Sequence, residues 1–166
     1  MIMMIISILL AVFYTGAAIW TKGKLPDSIS AMVYDFPKAG KWTWTLWIWT
    51  VAELICPTLF DTIPEDLGVV AHCFATSMMF TGAMPLVKGD RNKAHNVLGI
   101  SAGIFSQIIV AIISADWLFA WSIFLFLMGS AYIQPNGWLG RAVKGKGVFV
   151  AEVICWLSLM GCLIFK

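Results

Sequence analysis

Charge is scarce in this sequence. Only 12% of its 166 residues are Asp, Glu, Lys or Arg, against 60% hydrophobic, whereas a soluble domain typically carries about 25% charged residues. That leaves too little polar surface to wrap a water-soluble particle, and no stretch is polar enough to form a separate soluble domain. The net charge of +2 comes from lysines gathered in a few loops, which argues against a basic face tracking a nucleic-acid backbone. The cysteines, Cys56, Cys73, Cys155 and Cys162, lack CxxC spacing, so neither a disulfide framework nor a zinc ribbon is expected. They read as small hydrophobes inside helices. The sequence also has no GxSxG elbow, P-loop, GxGxxG, HExxH or CaaX terminus. Its apolar beginning lacks the basic segment and small-residue cleavage site of a signal peptide, and reads as a retained first span.

Long apolar runs are what the chain has in quantity. They predict an all-α fold, an integral membrane bundle of about six transmembrane helices in a single domain, 1–166. The spans are expected at about residues 2–20, 42–60, 69–87, 95–115, 117–133 and 148–165, each near the ~20 residues that cross ~30 Å of hydrocarbon. Trp42, Trp44, Trp47 and Trp49 open the second span, and indole rings favour the headgroup level. Only Asp116 interrupts the apolar run shared by the fourth and fifth spans, so a hairpin is expected at residues 114–116. The other connections carry turn residues, among them Gly23, Pro26, Pro37, Pro64, Gly89 and Pro135. Residues 28–34 form a short amphipathic patch expected to lie flat on the membrane surface.

Basic residues alternate from loop to loop. Lys22, Lys24, Lys38 and Lys41 lie in the first loop, Lys88, Arg91 and Lys93 in the third, and Arg141, Lys144 and Lys146 in the fifth. Under the positive-inside rule these loops are cytoplasmic and both termini lie outside. The expected location is therefore a cell membrane, the inner one in a bacterium, crossed several times. Asp61, Glu65, Asp66 and Asp116 fall in the outer loops, either as solvated polar groups or as an attractor for a cation or basic partner.

Ionisable groups inside hydrocarbon cost about 2.5–3.5 kcal/mol on insertion scales and mark candidate sites. Glu53 in the second span and His72 in the third are expected near the same depth, with Asp61 above them. If they meet, they form a structural contact, a proton or substrate relay, or, with Asp61, Glu65 or Cys73, a metal site. A second polar group, His95, Asn96, Asp90 and Glu152, is expected on the cytoplasmic side. No metal or cofactor is called for. His72 and His95 are placed near opposite faces and so are too far apart for one bis-histidine haem. Spans one to three and four to six have the odd count that an inverted repeat requires.

Residues 27–30, Asp27, Ser28, Ile29 and Ser30, follow the first span, and His95, Asn96, Val97, Leu98 and Gly99, with Phe105 beyond, open the fourth. These short motifs resemble those of the Frag/DRAM/Sfk-type six-span membrane proteins and related bacterial families of unknown function. The resemblance covers a small part of the chain. It implies six spans and singles out Ser28, His95 and Asn96, but supplies no substrate. It also implies cytoplasmic termini, against the charge pattern here.

The leading functional expectation is a small transporter, permease or accessory membrane protein with a polar site at Glu53 and His72. Two alternatives stay open: a membrane enzyme acting on a lipid, using His72 with Asp61 or His95 with Asp90, and a non-catalytic assembly or sensing protein. The partners implied are the lipid bilayer and a small-molecule or ion substrate that the residues do not identify. A homo-oligomer is a further alternative.

Overall fold

Apolar side chains at helical spacing, with proline confined mostly to the joins, give this chain few options besides helix. The computed structural model describes residues 2–30, 33–34, 36–86, 91–114, 136–137 and 146–165. Its described helices are α1 (Ile2–Lys22), α2 (Lys38–Thr62), α3 (Gly68–Ala83), α4 (Arg91–Ile113) and α5 (Gly147–Ile164), and no strand occurs among the described residues. Short 3-10 turns, Glu65–Leu67 and Met84–Leu86, flank α3.

Among the described residues, four segments are long and apolar enough to cross a membrane: Met4–Lys22, Glu65–Leu86, Lys93–Ile113 and Gly147–Ile164. They coincide with the expected first, third, fourth and sixth spans. The expected second span is helical too, as the 25-residue α2, but its tryptophans, threonines and Glu53 dilute its apolar content and keep it out of that group. The expected fifth span, 117–133, and most of the hairpin before it lie outside the described residues.

Local signals set the helix ends. Gly23 has φ +67° and donates its N–H to the Ile19 carbonyl at 2.7 Å, closing α1 with a left-handed residue that glycine adopts without a Cβ clash. Helix α2 starts right after Pro37, four residues before the sequence reading placed it, because Lys38 to Lys41 continue the helical turn that proline initiates. Pro57 sits inside α2, which ends before Pro64.

Pairing between helices is fixed by polar and close contacts. Thr45 Oγ1 donates to the Gly82 carbonyl at 2.7 Å and Trp49 Nε1 to the Met79 carbonyl at 2.9 Å, so α2 and α3 run antiparallel. Gly82 lets them approach, since a Cβ there would stand 2.7 Å from Ile48 Cγ2. Helices α4 and α5 run parallel: Gln107 on α4 donates from Nε2 to Ser158 Oγ on α5 at 3.0 Å, and Gly103 faces Cys155 one turn earlier on both. The chain therefore leaves α4 at one end of the bundle and enters α5 at the other.

Charge is sorted between these ends. Lys22, Lys24, Lys38, Lys41, Lys93 and Lys146 mark one, called here the basic end, and Asp61, Glu65 and Asp66 mark the other. Ile2 and Phe165, at the far tips of α1 and α5, belong to the acidic end.

The tryptophan cluster divides by helical period. Trp42 and Trp49, two turns apart, are exposed, whereas Trp44 and Trp47 are buried. Tyr14 of α1 stacks on Trp47 at 5.3 Å and meets Trp44 edge-on at 5.4 Å. Half of the expected interfacial belt is thus core, joining α1 to α2. Outward faces remain greasy, with Leu9, Val12, Phe13, Leu46, Val69 and Ile104 all exposed.

Candidate functional site

The segment between α1 and α2 does not lie flat over the surface. It folds into the basic end of the bundle, where Ser28 is almost buried and Val33 fully so. Its anchor is Glu152, one turn into α5. Ser28 Oγ donates to Glu152 Oε1 at 2.9 Å, Ser30 Oγ to the same oxygen at 2.5 Å, and the Ile29 backbone N–H to Oε2 at 2.5 Å. Three donors on a partly buried carboxylate are the arrangement that lets a charge persist in an apolar helix, each charge-assisted bond contributing about 1.5–3 kcal/mol.

A second tie lies just outside the first. Lys146 pairs with the exposed Asp27 carboxylate, and the Phe149 N–H at the start of α5 donates to the Asp27 carbonyl at 3.2 Å. That backbone bond satisfies one of the amide groups a helix start leaves open. The hydrogen bond from Lys146, then its charge, holds the Asp27 carboxyl below the ordinary carboxylate range, with Lys24 and Lys22 adding to the effect.

Farther along the same segment, the ring of Tyr34 meets His95 of α4 edge-on at 5.3 Å. His95 is 3% exposed, and its ring lies against the Thr81 backbone of α3. Asn96, the next residue, points outward and is exposed. Asp90 lies outside the described residues. Of the expected cytoplasmic-side group, then, His95 and Glu152 both face the loop after α1, at Tyr34 and at Ser28 to Ser30, while Asn96 does not.

The expected Glu53–His72 site is arranged differently. Both side chains are exposed, and no hydrogen bond or ion pair joins them among the described residues. His72 packs against Phe60 with ring centroids 4.5 Å apart. Glu53 precedes Phe60 by seven residues, which puts it about 10 Å farther down the same face of α2. The shared depth inferred from counting residues is therefore off by about two turns. Asp61 is exposed in the last turn of α2. His72, Phe60, Ile63, Glu65, Gly68 and Val69 line an open groove of about 420 Å³ at the acidic end. Among the described residues no three His, Cys, Asp or Glu side chains gather in a way that could hold a metal ion.

Sequence reasoning marked Glu152 and, through the family resemblance, Ser28, but did not pair them and gave Ser30 no role. The run Ser28-Ile29-Ser30 was the available signal, since two hydroxyls and an amide beside a turn supply donors for a carboxylate. Nothing local says which carboxylate. Compared with family models, curated proteins and solved structures, the chain matches none.

Proposed function

We propose that this chain is a multi-pass membrane protein of the small transporter, permease or accessory kind, with its working site at the basic end around Glu152. The observation that carries this reading is the carboxylate of Glu152: an ionisable group within an otherwise apolar helix, facing the bundle interior and covered by a loop that supplies its hydrogen bonds. Intramembrane carboxylates of this sort mark ion and substrate paths. In this reading the loop after α1 closes the mouth of the path and Glu152 binds and releases a proton when the loop moves.

The proposal includes six crossings, with the basic end in the cytoplasm and both termini outside. Supporting it are the sorted lysines, the antiparallel α2–α3 pair and the parallel α4–α5 pair, which has the chain enter α5 from the end opposite to the one where it left α4. The acidic Glu53–His72 face is exposed and becomes a secondary candidate. A test is potential-driven proton uptake by the full chain in proteoliposomes carrying an internal pH dye. Glu152→Gln is expected to abolish the uptake, and undiminished flux in that variant discards the assignment.

A second reading has its own observation. The Tyr34–His95 contact and the Glu152 ties also serve to hold helices together, as in an assembly or sensing protein without flux. Loss of thermal stability in Glu152→Gln, together with a parent chain that moves no protons, selects that reading.

A further inference from the structure

The interface between α4 and α5 carries a polar seam in two helices that are otherwise apolar. On α5, Glu152, Cys155 and Ser158 follow one another at three-residue spacing and so share a face. On α4 that face meets Gly103, Ser106 and Gln107. Gln107 Nε2 lies 3.0 Å from Ser158 Oγ and 3.3 Å from Ser106 Oγ. The carbonyl oxygen of Gln107, Oε1, is buried without a hydrogen-bond partner among the described residues, and so is Ser7 Oγ of α1, whose residue is 0% exposed. Counted from the basic ends of their helices, Ser158, Ser7 and Gln107 lie about 17–24 Å deep. Buried acceptors and hydroxyls left open are ordinarily met by water. Beyond them toward the acidic end, Ile109, Val110, Leu159 and Met160 are all 0% exposed and form an apolar plug.

We infer that this seam is an occluded proton path: hydroxyl groups and one or two waters linking Glu152 to the Gln107–Ser158 pair, closed by the Asp27–Ser30 loop at one end and by the Ile109–Leu159 plug at the other. The inference rests on the transporter reading above and names the proton as the transported species. At rest Ser106 Oγ donates to the Gly103 carbonyl at 2.7 Å and Ser158 Oγ to the Cys155 carbonyl at 3.1 Å; in the relay each hydroxyl turns from its carbonyl, accepts a proton from one neighbour, passes its own to the next and ends unchanged. The proton that reaches Glu152 forms an O–H bond and replaces the charge that holds Ser28, Ile29 and Ser30. The other ionisable groups on the elements packed around Glu152 are Cys155 and Cys162 on its own helix, Arg91, Lys93 and His95 on α4, Tyr14 and Lys22 on α1, and Lys24, Asp27 and Lys146 at the mouth.

The experiment compares proton uptake by the parent chain, Gln107→Leu, Ser158→Ala and Glu152→Gln in the same dye-loaded proteoliposomes, with Gln107→Leu and Ser158→Ala first checked for an unchanged melting temperature in detergent and Glu152→Gln, which is expected to melt lower, checked for helical content at the assay temperature. Gln107→Leu is expected to slow uptake about tenfold or more, with Ser158→Ala as the milder substitution should the leucine variant not fold. Amide exchange at Ser28 to Ser30 should stay at the parent's value in both, because the loop is untouched. Should Glu152→Gln block uptake while Gln107→Leu and Ser158→Ala run at the parent rate, the seam is overturned and the Glu152 reading survives. A parent chain that carries sodium without acidification, or carries no ion, overturns both.

Discussion

At the scale of single residues, the loop and the helix it grips make separable demands. Replacing Glu152 by Gln keeps the shape but removes the charge that makes the three bonds strong, and turns one acceptor oxygen into a donor facing the serines. A loss of about 1–3 kcal/mol is expected, read as a lower melting temperature in detergent together with faster amide exchange at residues 28–30. Exchange that stays at the parent's rate would mean the loop is held by something else. The outer pair behaves differently because it is exposed. The folded-state value of Asp27 lies below its unfolded value near 3.9, so the stability it contributes is present above that pH and is lost as pH falls through the folded value. An exposed pair contributes at most about 1 kcal/mol. Asp27→Asn should therefore narrow the gap between melting temperatures measured at neutral and at strongly acidic pH, and should reduce the salt sensitivity of the neutral one. An unaltered gap would remove Asp27 from the account.

At the scale of elements, the α2–α3 pair depends on one missing methyl. Gly82→Ala drives a Cβ into Ile48 and is expected to cost about 1–3 kcal/mol through helix separation, with Ile48→Ala recovering part of it by removing the closer of the two clashing carbons. Additive losses in the double variant would show that the two residues do not touch. The same element shows what sequence can and cannot convey. Its helicity, its pairing with α3 across a short connection and its abundance of tryptophan were legible, because each is a local property. Its inward and outward tryptophans were not separated, since that depends on which face meets Tyr14 of another helix. Glu53 was placed opposite His72 by counting residues from a presumed entry point. The helix in fact runs on to Thr62, and Phe60, not Glu53, stands beside the histidine.

At the scale of the whole molecule, the described lysines Lys22, Lys24, Lys38, Lys41, Lys93 and Lys146 share one end of the bundle. The helices that bring them there have directions fixed independently, by Thr45 with Gly82 and by Gln107 with Ser158. Thiol labelling of single cysteines introduced at Lys24, Lys93 and Lys146 in sealed, right-side-out membranes is expected to leave all three unmodified until the membrane is opened. Labelling of any one from outside would break the shared-face topology. Contacts between distant positions were the part no sequence pattern held. Ser28 and Glu152, and Gln107 and Ser158, are each unremarkable in their own neighbourhood and acquire meaning only once the helices are packed.

The acceptor for Ser28 stands 124 positions later in the chain. During synthesis, therefore, residues 28–30 emerge long before the carboxylate that accepts their hydrogen bonds, and that tie forms only once α5 has been made. A ribosome halted anywhere before residue 152 leaves a product in which residues 28–30 lack their acceptor, so exchange or proteolysis at this segment would tell a chain that contains α5 from one that stops short of it.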